Sequence, residues 1–145
     1  MKIGYATTIG NFDGLHLGHA ALIAKIKTNA KKMNLNYPGG PEIENLAKNG
    51  NRVLINFPRP MINDSSFNFS FSGLKTSLIN CVNKDNYNFQ DIAASYQEAI
   101  VDTLIKKFKK AMDEFSIDTG IICGGVAANT RLREKLSEIY KKIIY

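Results

Sequence analysis

The chain has 145 residues, of which 44% are hydrophobic and 22% are charged, and it carries a formal net charge of +6. This length suits one domain of ordinary size with a packed core. Its two cysteines, Cys81 and Cys123, do not support a disulfide framework or a zinc site, and no apolar run reaches the roughly 20 residues of a membrane-spanning helix. We therefore expect a cytoplasmic protein with no membrane partner.

Basic residues cluster at 25–32, 106–110 and 131–142. A polyanion such as tRNA would be attracted to such clusters. Helices that carry lysine on their solvent-exposed face also explain most of the clustering. Charge alone therefore leaves contact with nucleic acid open.

The first 33 residues predict a strand, a turn and a helix. Residues 3–9 carry the β-branched side chains typical of a strand, residues 11–14 turn the chain, and residues 17–33 have the apolar spacing of a helix. His16 and His19, the only histidines, lie at this strand-to-helix turn. Two imidazoles beside a helix amino terminus can stabilise the charge that develops on nucleotide phosphates during adenylyl transfer.

Residues 10–19 read GNFDGLHLGH, which closely resembles the GxFDGxHxGH signature of the bifunctional riboflavin kinase/FAD synthetase family. The resemblance covers residues 1–28 and implies a nucleotidyltransferase-like domain over residues 1–30, with His16 and His19 as catalytic residues. The later adenylyltransferase signature and the kinase domain of that family have no counterpart in the sequence, so a complete FAD synthetase is excluded. The alternative is a strand, loop and helix kept only for packing.

Short elements are predicted between residues 37 and 83. A turn rich in proline and glycine at 37–41 precedes a helix over 42–49. Residues 53–56 predict a strand, and 57–61 an extended segment, because two prolines forbid helix there. Phe67, Phe69 and Phe71 alternate with polar residues, which predicts a strand or an extended edge over 67–72 with the three rings on one face. Exposure of that face in a monomer favours a homodimer. Gly73 then opens a helix over 74–83.

The longest predicted helix runs from Asn88, as its N-cap, to residue 115. Lys106, Lys107, Lys109 and Lys110 are interpreted as its solvated face. Apolar residues recur along it at spacings of three and four and predict a stripe that faces the core; these residues are Ile92, Tyr96, Ala99, Ile100, Leu104, Phe108, Ala111 and Phe115.

Residues 119–136 predict a short buried strand, a turn at Gly124 and Gly125, and a helix that starts at Asn129 and Thr130. Glycines at such a junction let a ligand approach the backbone without a Cβ in the way, and the helix start offers unpaired N–H groups. A nucleotide is the natural ligand, and the alternative is a tight connection in an α/β domain. The predicted buried face of the helix comprises Leu132, Leu136 and Ile139.

Five segments of residues 30–145 read, in order, YPGGPEIENLA, FPRPM, FSFSGLKT, DIAASYQEAIVDTL and GGVAANTRLREKL. Together they resemble the second half of the universal tRNA threonylcarbamoyladenosine transferase family, formerly described as O-sialoglycoprotein endopeptidases. The resemblance implies an α/β fold, namely part of a lobe of an actin-like ATPase (ASKHA type). It also implies transfer of a threonylcarbamoyl group from its adenylate to an adenosine of tRNA.

The same resemblance implies site residues. Gly40 matches a nucleotide-contacting glycine, Asn129 matches an asparagine at the adenosine site, and Gly124 and Gly125 fall where the backbone approaches that nucleoside. The implied cofactor is ATP or another adenine nucleotide, with Mg²⁺ as a possible companion. The HxxxH pair and the later aspartate of the family's metal site have no counterpart in the sequence. The chain therefore should have no metal site of its own and should not catalyse the transfer alone.

The two resemblances meet near residues 27–31, inside a predicted helix, which indicates a recombined or engineered chimera with domains over 1–30 and 31–145. In such a chimera, strand 3–9 would lie beside strand 117–123 in a small sheet, possibly joined by residues 53–56. The leading hypothesis is a truncated transferase-like domain with a partial adenine nucleotide site. The alternatives are nucleotide binding like that of an FMN adenylyltransferase, through His16 and His19, and a folded scaffold without a ligand.

Overall fold

A computed structural model describes residues 39–84, 86–140 and 142–145. Within these ranges the chain forms two compact units, which divide inside one long helix. The described part of the helical unit comprises residues 39–60 and 70–100, and that of the βαβ unit comprises residues 61–69 and 101–145. The predicted strand 3–9, the predicted helix 17–33, His16 and His19 lie outside the described residues.

The described elements make a mixed α/β structure, as predicted. The helical unit contains α1 (Gly39–Ala47), α2 (Ser72–Asn83) and the first half of α3 (Phe89–Glu114). The βαβ unit contains the second half of α3, β1 (Gly120–Ile121), a 3-10 helix (Gly125–Ala128), α4 (Thr130–Ile139) and β2 (Ile143–Ile144). The four predicted helices of this region are confirmed, with ends within three residues of the prediction. None of the helices in the described ranges is long and apolar enough to span a bilayer.

The start of α3 is fixed by side-chain hydrogen bonds. Asn88 Oδ1 accepts a hydrogen bond from the Asp91 backbone N–H at 2.7 Å, and Asn88 Nδ2 donates to Asp91 Oδ2 at 2.7 Å. The other carboxylate oxygen of Asp91 accepts from the Asn51 N–H at 2.7 Å. The predicted cap is therefore confirmed, and it also ties the loop after α1 to the first turn of α3.

The helical unit is held by an apolar core on the predicted stripe of α3. Phe57 and Tyr96 meet edge to face with ring centroids 5.6 Å apart. Burial raises the pKa of Tyr96 to about 12, since the phenolate would lose its hydration. The buried members of this core are Phe57, Leu74, Val82, Ile92, Tyr96 and Ala99.

The predicted strand at residues 53–56 is wrong. Asn51 Oδ1 accepts from the Val53 N–H at 3.0 Å, and Ser95 Oγ accepts from the Ile55 N–H at 3.2 Å. These side chains take the backbone donors that a strand partner would need. The side chain of Val53 is 84% exposed, so the segment is a loop held by polar groups.

Residues 67–72 do not form a strand, which leaves the alternative of an extended edge, and their aromatic side chains do pack. Phe67 lies 5.5 Å from Phe115 between ring centroids, and Lys110 Nζ lies 4.6 Å from the Phe67 centroid. Phe71 packs instead against the core of the helical unit. The Asn68 N–H donates to Ser66 Oγ at 3.1 Å and the Ser72 N–H donates to Ser70 Oγ at 3.4 Å. Serine oxygens thus take backbone donors that a strand partner would need, and the homodimer stays a prediction.

The predicted strand before the glycine turn is confirmed over Gly120–Ile121, and among the described residues it pairs with β2. The expectation that it is fully buried is wrong, since Ile121 is 38% exposed. The two strands run parallel, with Gly120 opposite Ile143 and Ile121 opposite Ile144. The Ile122 N–H donates to the Ile144 carbonyl at 2.9 Å. Since α4 lies between the strands in the chain, residues 120–144 form a βαβ motif, after which the βαβ unit is named.

Gly120 is the position where β1 meets α3. A Cβ at Gly120 would overlap the ring of Phe108 on α3. That ring also meets Tyr140 edge to face, with centroids 5.7 Å apart. Only glycine therefore lets the strand lie this close to the helix.

We predict that Gly120→Ala destabilises the chain by about 1–3 kcal/mol, because the methyl group must displace a buried aromatic ring. The matched control is Gly73→Ala, whose Cβ would meet Pro60 Cγ at an ordinary 3.7 Å within a helix and should leave the chain at least as stable. Urea denaturation of both variants measures the difference. Equal midpoints for Gly120→Ala and the unmodified chain would contradict the prediction.

Not all lysines of α3 lie on a solvated face. The interpretation of Lys107 as a solvated residue is wrong. Lys107 is only 5% exposed, and its ammonium donates to Asp64 Oδ1 at 2.6 Å and to the Ser66 carbonyl at 2.8 Å. Burial of an ammonium is tolerated because these acceptors replace its water. The hydrogen bond from Lys107 lowers the pKa of the Asp64 carboxyl, because it favours the ionised form.

The Asp64–Lys107 pair predicts acid sensitivity. Because the pKa of Asp64 is lower in the folded chain, the stability that this carboxylate contributes is present above its unfolded pKa of about 3.9 and is lost as the pH falls through its folded pKa. Asp64→Asn should be less stable at pH 7 and should lose less stability on acidification. Urea midpoints at pH 7 and pH 3 measure this, with Glu138→Gln as the control. Parallel acid losses in Asp64→Asn and the control would contradict it.

Candidate functional site

The glycine turn follows β1 at its carboxyl end. Gly124 has φ 84° and ψ −177°, a backbone conformation essentially restricted to glycine. Its carbonyl accepts from the Ala127 N–H at 3.0 Å, which starts the 3-10 helix. The prediction that glycine breaks the strand here is confirmed, and the physical reason is the backbone angle.

Gly125 differs from its neighbour, because its backbone would allow a side chain. A Cβ built at Gly125 meets no heavy atom within 4 Å, and its φ is not positive. The residue is exposed. The space over Gly125 is therefore open, as an approach of a ligand to the backbone would require.

Asn129 is the N-cap of α4, as predicted. Its Oδ1 accepts from the Leu132 N–H at 2.9 Å, and its own N–H donates to the Val126 carbonyl at 3.0 Å. Leu132 and Leu136 of α4 are buried as predicted, whereas Ile139 is 45% exposed and does not belong to the buried face. Asn129 thus joins the 3-10 helix to α4 through both its side chain and its backbone.

Arg133 reaches back from α4 to the turn, a contact that the sequence did not suggest. Its Nε donates to the Ala127 carbonyl at 2.6 Å, and its guanidinium carbon lies 4.6 Å from the centre of the Tyr145 ring. The Tyr145 hydroxyl donates to the Arg133 carbonyl at 3.3 Å. An arginine early in a helix opposes the macrodipole, and that is the sequence signal that could have marked it.

The predicted site residues fall into separate groups. Gly124, Gly125 and Asn129 lie together in one turn of the βαβ unit. Gly40 is the second residue of α1 in the helical unit, where it is exposed and a Cβ would meet nothing within 4 Å. His16 and His19 lie outside the described residues, so their proposed catalytic role stays a prediction.

A groove in the βαβ unit gathers the α3 lysines with the loop before residue 66. Its volume is about 750 Å³. Lys107 pairs with Asp64, Lys110 pairs with Glu114 at 3.3 Å, and Lys106 Nζ donates to Asn63 Oδ1 at 2.6 Å. Since acids of the same groove compensate two of its lysines, it makes a weak electrostatic case for an RNA surface.

Across residues 39–84, 86–140 and 142–145, no group of three His, Cys, Asp or Glu side chains is placed to hold a metal ion. The two cysteines are free thiols. The described turn offers backbone amides, an amide side chain and a guanidinium, which are groups that bind oxygen atoms of a ligand.

A glycine turn and capped helix after a strand of a βαβ unit is the arrangement by which α/β proteins hold ligands at the carboxyl ends of their strands. The sequence profile of tRNA N6-adenosine threonylcarbamoyltransferase matches residues 14–145. The chain belongs to this family. It is 49% identical over 116 residues to the enzyme of Thermosipho africanus, 50% over 112 residues to that of Persephonella marina and 45% over 117 residues to that of Clostridioides difficile.

These alignments cover 78%, 75% and 77% of the chain, and 35%, 32% and 35% of the respective relatives. The chain thus spans about a third of the length of the curated relatives it matches. The resemblance predicted for the larger part of the sequence is confirmed. The matches do not support the resemblance of residues 1–28 to riboflavin kinase/FAD synthetase.

We predict that the two glycines of the turn respond differently to alanine. Gly124→Ala should destabilise the chain by about 1–3 kcal/mol, because a Cβ strains the backbone at this positive φ. Gly125→Ala should stay within about 0.5 kcal/mol, because its Cβ meets open space. Urea denaturation of both variants decides, and equal losses would contradict the described turn.

The Asn129 cap gives a second stability prediction. Asn129→Ala removes the acceptor for the Leu132 N–H and should cost about 1 kcal/mol. Asn129→Asp keeps an oxygen acceptor and places a negative charge at the helix start, so it should be at least as stable as the unmodified chain. Thermal midpoints at neutral pH measure both, and an unchanged midpoint for Asn129→Ala would argue against the cap.

Proposed function

We propose that this chain supplies part of the nucleotide site of a tRNA N6-adenosine threonylcarbamoyltransferase and binds an adenine nucleotide at the turn of Gly124, Gly125 and Asn129. The observation that carries the proposal is the open backbone at Gly125, set between a glycine at positive φ and a capped helix. The family membership favours an adenine nucleotide as this ligand, since the relatives are named for a reaction on adenosine of tRNA.

Each residue of the turn has a distinct part in the proposal. Gly124 sets the direction of the chain after β1, which only glycine can do at that φ. Gly125 leaves room for a nucleoside against the backbone. Asn129 holds the turn to α4, and its side-chain amide is the group that would recognise the nucleoside by hydrogen bonding.

The wider proposal concerns the whole reaction. In it, the chain is part of an actin-like lobe, ATP with Mg²⁺ is the nucleotide, and a threonylcarbamoyl group passes from its adenylate to an adenosine of tRNA. Gly40 would be a nucleotide-contacting glycine, as the family resemblance implies. The free thiols of Cys81 and Cys123 suit a cytoplasmic location.

The decisive experiment is calorimetry with ATP and Mg²⁺ on the intact chain and on a graded series at one position, Gly125→Ala and Gly125→Val. Because the added side chain fills the open space, affinity should fall stepwise, by about tenfold or more for valine, which corresponds to about 1.4 kcal/mol. Gly73→Ala is the control and should bind as the unmodified chain does.

Melting curves complete the test. ATP at 100 times its Kd should stabilise the unmodified chain by about 2.7 kcal/mol. Asn129→Asp keeps the cap but loses the amide donor, so it should bind more weakly without melting earlier. The absence of both heat and a melting shift in the unmodified chain would overturn the proposal.

A further inference from the structure

We propose that Arg133 is a phosphate-binding residue of this turn, and that it distinguishes a nucleotide from a nucleoside. The inference rests on the proposed function and adds to it one residue, Arg133, and the ligand group that this residue would bind, a phosphate. Arg133 is exposed, yet its side chain is fixed at two points. Nε is held by the Ala127 carbonyl at 2.6 Å, and the guanidinium lies 4.6 Å from the Tyr145 ring centre.

The contacts of Arg133 leave its terminal nitrogens for a ligand. The Ala127 carbonyl occupies only Nε, and the Tyr145 ring covers a face of the guanidinium rather than its edge. The terminal nitrogens form the planar pair of donors that matches two phosphate oxygens. Among the described residues, no carboxylate pairs with Arg133 within the distance of a salt bridge.

Neighbouring cations of α4 differ in this respect. Arg131 pairs with Glu134 at 3.2 Å, and Lys135 pairs with Asp102. Arg133 is thus the helix cation that combines a fixed position with a carboxylate-free edge. It is also linked directly to the turn, because the Ala127 whose carbonyl it binds donates its N–H to the Gly124 carbonyl at 3.0 Å.

Helix stability does not explain this arginine. A positive charge in the first turns of a helix is unfavourable because the amino-terminal end of the macrodipole is itself positive. A bound phosphate would offset that repulsion, because it attracts both the guanidinium and the positive end of the helix. A guanidinium held beside the turn also needs little further ordering when it binds, since its side-chain freedom has already been lost.

The test is calorimetry on the full chain with three probes: ATP, adenosine and inorganic pyrophosphate. Arg133→Gln should weaken the binding of ATP and of pyrophosphate by about tenfold or more, which is the size expected for hydrogen bonds to a charged group. It should leave the affinity for adenosine within about twofold of that of the unmodified chain. Arg133→Lys keeps the charge without the planar donor pair, so its affinity for ATP and pyrophosphate should lie between that of the unmodified chain and that of Arg133→Gln. The matched control Arg131→Gln removes the same charge from the same helix and should bind all three probes normally.

Each other outcome has a defined meaning. Equal weakening of ATP and adenosine by Arg133→Gln would show that Arg133 only supports the turn, which overturns the inference and leaves the proposed function standing. Unchanged ATP affinity in Arg133→Gln would overturn it as well. Pyrophosphate binding that depends on Arg133, without adenosine binding, would support the phosphate site and contradict the adenine nucleotide. No binding of any probe by the unmodified chain would overturn both.

Discussion

The close contact between β1 and α3 at Gly120 is the constraint on which the βαβ unit depends. Because the position has no Cβ, the ring of Phe108 lies directly against the strand and also meets Tyr140 at the end of α4. The Phe108 ring thus contacts both β1 and the carboxyl-terminal end of α4. The parallel pairing of β1 with β2 then fixes where the strand ends, and with it the position of the glycine turn.

From that strand end, a continuous series of hydrogen bonds leads to the candidate site. The Gly124 carbonyl accepts from Ala127, the Ala127 carbonyl accepts from Arg133, and Asn129 caps α4. These bonds satisfy backbone groups that a turn and a helix start would otherwise leave unpaired. The turn is therefore shaped by the chain itself, while Gly125 and Arg133 remain exposed.

Charge in this chain acts mainly through specific pairs. Lys107 is buried because Asp64 and a carbonyl of the same loop surround its ammonium, and Lys110 stacks on Phe67 while pairing with Glu114. Paired charges give little attraction to a polyanion at a distance. The net charge of +6 is thus a poorer guide to function than the geometry around one arginine.

The sequence alone is enough to predict the helices, the strand before Gly124, the caps at Asn88 and Asn129, and the family, because local spacing, capping chemistry and ordered segments carry that information. At residues 53–56 and 67–72 the sequence pattern predicts strands that do not form, because such a pattern is only local. Backbone N–H groups there donate to side-chain oxygens of Asn51, Ser66 and Ser95 instead of to a strand partner. The folded chain is needed to show that β1 pairs with β2, that Lys107 is buried and that Arg133 binds the turn. Each of these depends on residues brought together across the fold, and no local pattern records such contacts.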